Sequence, residues 1–206
     1  MSIHKIPVEL PHRIMACDGL ILNRKLSGWL KDPTTKEITI VVYRYHDLDF
    51  YSGRIASNAQ SGLINDLVRA AARGVKLTFV TRDPLTDGSA QMSGRSASGW
   101  YRGLKRLAAI DGTRVLIHKS LHAKVYLIKR VDEKVFYAVG SSNLTYQGMG
   151  FRWSECNVVG YTQSEYQAVE NQVGGIINDR DTLNLSSWKL KASRNIANAG
   201  FLANLT

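Results

Sequence analysis

A histidine and a lysine, His122 and Lys124, stand two residues apart in the apolar run SLHAKVYLIK, residues 120–129. Side chains of an extended chain alternate between faces, so positions two apart leave the same face and can converge on one anion. The next apolar run ends in Gly140-Ser141-Ser142-Asn143, a turn of small residues whose backbone and side-chain donors can come close to a phosphate. Further on, Glu155 opens another apolar run, where a carboxylate is costly without a cationic or hydrogen-bonding partner. His122 is the obvious partner. A carboxylate on its Nδ1 would turn Nε2 toward a substrate, the orienting arrangement of general acid–base and nucleophilic sites. Each residue taken alone has an ordinary explanation as a satisfied core histidine, an edge lysine or a Ser/Asn turn.

The elements that must position these residues read as α/β. ITIVVYRY (38–45) is continuous and β-branched, as suits a strand buried on both faces. SNAQSGLINDLVRAAARG (57–74) carries Leu63, Ile64, Leu67, Val68 and Ala71 at helical spacing, with Ser57 or Asn58 as N-cap and Gly74 as stop. VKLTFVTR (75–82) follows, completing a strand-helix-strand unit that implies a parallel pair. Before it, residues 20–30 predict a lead-in strand or short helix. Residues 83–99, rich in Gly, Ser and Asp, predict a long loop outside the carboxyl end of a strand, where ligands collect in open α/β sheets. Arg95 within it is a candidate phosphate contact. WYRGLKRLAAI (100–110) predicts a helix, and four strands are expected over 113–119, 120–129, 133–142 and 155–161, two of them joined by a tight turn at 131–133. A helix from Thr162 opens with a Thr-x-x-Glu capping signal. The whole chain, 1–206, is expected to be one domain with its core at about 36–180, followed by a basic tail from 181 that could pack, cover a dimer seam or touch nucleic acid.

Taken together, LHAKVYLI, VGSSNLTYQGMG and SECNVV resemble the phospholipase D superfamily, whose signature is H-x-K, then G-S-x-N, then a downstream acid. His122, Lys124, Gly140, Ser141, Asn143 and Glu155 each fill a position of that pattern, the acid lying 12 residues beyond Asn143. The resemblance implies a mixed sheet flanked by helices on both faces. The fuller motif HxKx4D departs at residue 129, where this chain has lysine; nuclease-like and restriction-enzyme-like branches often lack that aspartate. The superfamily uses two histidines, one attacking phosphorus and one protonating the leaving oxygen. This chain has one motif, so the resemblance implies a homodimer with a composite site at its twofold seam. It further implies catalytic roles for His122, Lys124, Ser141, Asn143 and Glu155, and a phosphohistidine intermediate without metal or other cofactor.

Charge bears on which phosphodiester is cut. Lys+Arg 27 against Asp+Glu 17 leaves a net charge of +10, which favours a polyanionic partner. Arg114, Lys119, Lys129, Arg130, Lys134 and Arg152 stand near the motif in sequence, with Gly140, Lys119, Arg95 and Arg152 as the candidate substrate-binding residues. Nothing in the sequence reads as a membrane span, an amphipathic docking segment or a signal peptide, so a cytoplasmic protein without stable membrane association is expected. Two cysteines without CxxC spacing, Cys17 and Cys156, suggest neither a zinc site nor a disulfide framework. The expected activity is a nucleic-acid phosphodiesterase, with DNA favoured over RNA. A phospholipid phosphodiesterase or phosphatidyltransferase and a non-catalytic nucleic-acid-binding protein are the alternatives.

Overall fold

The computed structural model describes residues 15–45, 62–86, 94–145, 149, 155–193 and 203. Eight strands form one sheet: β1 (Met15–Cys17), β2 (Thr35–Val42), β3 (Lys76–Arg82), β4 (Thr113–His118), β5 (Lys124–Arg130), β6 (Val135–Gly140), β7 (Asn157–Gly160) and β8 (Thr182–Asn184). Their order is β1-β7-β6-β5-β2-β3-β4-β8. β2, β3 and β4 run parallel, joined through helices α2 (Gly62–Ala72) and α3 (Gly94–Ala108); every other pairing is antiparallel.

Alternation along the strands divides the core in two. Ile38, Ile40 and Val42 of β2, Phe79 of β3, Tyr126 and Ile128 of β5, and Phe136 and Ala138 of β6 face one cluster. That cluster also receives Leu22, Leu26 and Leu30 of α1 (Gly19–Lys31), Leu67 of α2, Leu104 and Leu107 of α3, and Trp188 of α5 (Leu185–Ser193). Val41, Val80, Val125, Leu127, Val135 and Tyr137 face the other, which is closed by Tyr166 and Val173 of α4 (Gln163–Ile177). The sheet is therefore the expected mixed α/β sheet with helices on both faces, though among the described residues four helices cover one face and α4 alone covers the other. Four helices cannot be matched by one. Val139 and Val158, a cross-strand pair on the α4 face, are left 38% and 41% exposed.

Local signals account for the boundaries. The lead-in segment is a helix, α1, because Asp18 caps it: its Oδ1 accepts the Ile21 N–H at 2.8 Å. Gly74, at φ +89°, ends α2 in the left-handed conformation that glycine adopts without penalty; the proposed caps Ser57 and Asn58 lie outside the described residues. The loop expected through residue 99 ends earlier, since α3 starts at Gly94 and Arg95 stands in its first turn. Trp100, Tyr101, Leu104 and Leu107 bury one face of this helix, and that packing carries an N-terminal turn of weakly helix-forming Gly and Ser. Thr162 and Glu165 at the start of α4 bond side chain to side chain, not reciprocally through the backbone. Beyond residue 180 the fold continues: β8 pairs with β4, and Leu185, Trp188 and Ala192 of α5 join the main core. Among the described residues no helix is long and apolar enough to cross a membrane.

Candidate active site

The parallel strands β2, β3 and β4 all end at one edge of the sheet, where antiparallel β5 and β7 begin and β6 ends. Every motif residue that is described lies along that edge. β5 starts at Lys124, opposite Val42 at the end of β2, so His122 belongs to the connection before the strand and not to the strand itself. Leu121, buried, anchors this connection in the α4-side core, and His122 is exposed. The Lys124 ammonium nevertheless sits against the edge of the His122 ring, 3.4 Å from Nδ1 and 3.5 Å from Nε2. Lys124 is only 9% exposed. Burial lowers its pKa below the ordinary lysine value, and the negative charge of Glu155 pulls it partly back.

Sequence reasoning missed the ring that holds this pair. Tyr43, just past β2, packs against His122 with centroids 4.9 Å apart and the rings tilted by 47°, and the Lys124 Nζ stands 5.3 Å from its centroid. The guanidinium groups of Arg44 and Arg82 lie 5.1 Å and 5.0 Å from the same ring. An electron-rich ring face attracts such cations and gathers them at one place. Tyr43, Arg44 and Arg82 all stand at carboxyl ends of the predicted parallel strands, and that position was the available signal.

The Gly-Ser-Ser-Asn turn is held by its neighbours. A Cβ on Gly140 would lie 2.3 Å from Asn157 Oδ1 and 2.5 Å from the Cys156 carbonyl oxygen, so the missing side chain admits β7 rather than open space. Ser142 is fully buried, its carbonyl accepting the Tyr126 hydroxyl at 2.9 Å and its N–H donating to Asn157 Oδ1 at 3.2 Å. The Asn157 amide also donates to Ser142 Oγ at 2.8 Å and to the Cys17 carbonyl at 3.3 Å, tying β1, β7 and the turn together. Asn143, 8% exposed, accepts the Arg44 N–H on Oδ1 at 2.8 Å. That bond fixes the orientation of the amide and leaves its NH2 group as the donor for a ligand. Leu144 N–H donates to the Arg44 carbonyl at 3.2 Å, so the turn and the Tyr43 segment are joined through their backbones.

Glu155 lies in the loop before β7, half-buried, and its carboxylate receives the Ser141 hydroxyl. Ser141 Oγ in turn accepts the Cys156 N–H at 2.9 Å. The expected pairing of Glu155 with His122 is thus replaced within the chain by Ser141, and Glu155 acts on the site as a charge near Lys124. Lys119, exposed, follows the end of β4 on the same edge and lines a neighbouring cavity. Arg152 lies outside the described residues, and of Arg95 only its place in α3 is described.

The remaining basic residues near the motif in sequence are not near it in space. A seven-residue strand spans about 20 Å, and β5 carries Lys129 and Arg130 to the far edge of the sheet. There Lys129 pairs with Glu133 at 2.8 Å, Arg130 with Asp32 at 3.3 Å, and Lys134 with Asp132 at 3.3 Å. Hydrogen bonds from Lys129 and Lys36 bring the Glu133 carboxyl down to about 2. Arg114 stands at the start of β4, again at the far edge. Residue 129, the point of departure from the fuller motif, therefore serves the hairpin.

Comparison with known proteins agrees with this fold. Among solved structures, Nuc, a phospholipase D family member from Salmonella typhimurium, is 15% identical with a TM-score of 0.54, over 84% of this chain and 95% of Nuc. NucT from Helicobacter pylori is 15% identical with a TM-score of 0.52, over 84% of this chain and 99% of NucT. Phosphatidylserine synthase from Haemophilus influenzae is 12% identical with a TM-score of 0.55, over 84% of this chain but 39% of that protein. At such identities the likeness is one of fold. Comparison with curated proteins finds no significant relative. Residues 32–177 match the family described as "Cardiolipin synthase, PLD-like domain", which spans His122, Lys124, Asn143 and Glu155. The chain therefore belongs to the PLD-like domain family, whose members act on phosphodiester bonds.

Proposed function

We propose that the protein is a nuclease that hydrolyses nucleic-acid phosphodiesters, with DNA as the favoured substrate, through a phosphohistidine formed at a homodimer seam. The observation that carries this reading is the exposed His122 imidazole held between the Lys124 ammonium and the Tyr43 ring, on the edge that also carries the Asn143 amide. In the first step a ring nitrogen of His122 attacks phosphorus: the N–P bond forms, the P–O bond to the leaving oxygen breaks, and His122 of the partner subunit gives that oxygen a proton. In the second, water attacks phosphorus, the N–P bond breaks, and the neutral imidazole of the partner takes the water's proton. Lys124 and Asn143 from both chains hold the non-bridging oxygens. By analogy with oxyanion sites in acyl transfer each such donor contributes about 2.7–4 kcal/mol to the transition state. Ser141 and Glu155 keep the β6–β7 edge in place and set the charge around Lys124. The roles of Arg95 and Arg152 in binding substrate belong to the same proposal, whereas Gly140, expected from the sequence to meet substrate, instead makes room for β7.

Two features favour nucleic acid and a dimer. The site edge gathers Arg44, Arg82, Lys119 and Lys124, a cationic surface suited to a phosphate backbone contacted without reading of sequence. The exposed Val139–Val158 pair lies on β6 and β7, next to the ends that carry Ser141 and Glu155, and offers an apolar surface for a second copy beside the site edge. The test is purified protein on plasmid, single-stranded DNA and RNA with EDTA present, beside His122→Ala. Cleavage by the wild type alone is expected. Cleavage abolished by EDTA would overturn the metal-free mechanism, and activity on phospholipid vesicles unaffected by competing DNA would favour the lipid reading.

A further inference from the structure

We infer that the cavity between β4, β8 and α5 binds a nucleotide of the substrate strand flanking the scissile phosphate, an inference that rests on the nuclease reading above. The cavity, of about 390 Å³, is lined by Ile117, Lys119, Asp181, Leu183, Trp188 and Lys191 among others. Its volume lies at the lower end of the range of roughly 300–1,000 Å³ occupied by small-molecule sites, which suits one nucleoside phosphate. The lining is divided in the way such a ligand requires. Ile117, Leu183 and Trp188 supply an apolar wall for a base, and Lys119 and Lys191, both exposed, supply two ammonium groups for phosphate.

Trp188 fixes that apolar wall: it is 3% exposed and held edge-on to Trp100 with centroids 5.4 Å apart. The Asp181 carboxylate, also on the wall, is an acceptor for an exocyclic amino group.

Sheet order connects this cavity to the reacting centre. From β5, which carries Lys124, the strands run β2, β3 and β4. Three inter-strand spacings amount to about 14 Å, roughly four duplex steps of 3.4 Å and fewer in an extended single strand. Between the two places stand Arg44 after β2 and Arg82 at the end of β3, so a strand leaving His122 crosses a row of cations before reaching the cavity. The five residues 119–123 join Lys119 on the cavity wall to the His122 connection.

The experiment measures two properties of the wild type and of Lys191→Glu, an exposed helix position where the change does not threaten folding. The first is binding of deoxyadenosine 5′-monophosphate by equilibrium titration, and the second is KM and kcat for a twelve-nucleotide single strand. Expected are binding about tenfold weaker in Lys191→Glu and a KM raised by a similar factor, with kcat far less affected. Trp188→Phe, which keeps an aromatic side chain but shortens the apolar wall, should weaken nucleotide binding in the same direction. Nucleotide binding indifferent to both substitutions overturns the cavity as a site. Binding that responds while the strand's KM does not overturns its use by the substrate and leaves a site for free nucleotide. Hydrolysis of bis(p-nitrophenyl) phosphate by the wild type is the separate control: its absence, with no cleavage of DNA, counts against the nuclease reading, whereas the titration still decides the cavity.

Discussion

At the scale of single residues, the site depends on a buried ammonium kept charged in an unfavourable place. Burial lowers the Lys124 pKa and Glu155 raises it, so removing the Glu155 charge lowers it further. In the proposed mechanism Lys124 must be protonated to hold a phosphoryl oxygen. The alkaline limb of the kcat/KM profile is therefore expected to move to lower pH in Glu155→Gln, with the acid limb moving less; a pH profile of both proteins checks this, and an unmoved alkaline limb removes Glu155 from the electrostatics of the site. Tyr43 admits a complementary test. Tyr43→Phe preserves the face that meets His122 and Lys124, and should retain most activity. Tyr43→Leu removes it, and with contacts of this kind worth about 0.5–2 kcal/mol a fall in kcat/KM of roughly threefold to thirtyfold is expected. Equal rates for the two variants would show that the ring is only filler.

At the scale of elements, the turn after β6 converts strand pairing into site geometry. Gly140→Ala forces a Cβ against the β7 backbone and the Asn157 side chain, neither of which is the free end of a flexible chain. A loss of about 1–3 kcal/mol of stability is expected, read as a lower melting temperature, together with lower activity because Asn143 hangs on the same turn. A melting temperature equal to that of the wild type would mean that β7 yields freely. The same element shows what could be read in advance. The motif spacing located His122, Lys124 and the 140–143 turn because each strand is short and its ends are marked by Gly, Ser or a charged turn. The continuous β-branched run 38–45 likewise marked β2 as a strand covered on both faces. Contacts that depend on non-adjacent strands were not legible: Tyr43 meets His122 only because β2 pairs with β5, and Asn157 reaches Ser142 only because β7 pairs with β6. Sequence neighbourhood misled where a strand intervened, as when β5 carried Lys129 and Arg130 to the opposite edge. The α3 start was misread because its first turn has little helix propensity of its own and depends on packing further along.

At the scale of the whole molecule, the proposed dimer rests on one copy of a motif and one exposed apolar pair. Val158 is 41% exposed, so Val158→Asp costs the isolated fold little, yet a charge buried at a seam without a partner costs several kcal/mol. This variant is expected to sediment at the mass of one chain and to lose activity while keeping its melting behaviour. Mixing subunits makes the argument quantitative. If one site needs His122 from both chains, wild type and His122→Ala allowed to exchange in equal amounts leave about one quarter of the dimers with two imidazoles. Activity should then fall to about one quarter of that of wild type at the same total protein, against about one half if each chain works alone. The quadratic dependence on wild-type fraction distinguishes a shared centre from a dimer that merely stabilises two independent ones. Sedimentation alone cannot make that distinction, because both would have the same mass. A linear titration in a protein that nevertheless sediments as a dimer would return the proton donor to the same chain as the nucleophile, and His118, at the end of β4 on the same edge, would become the residue to substitute next.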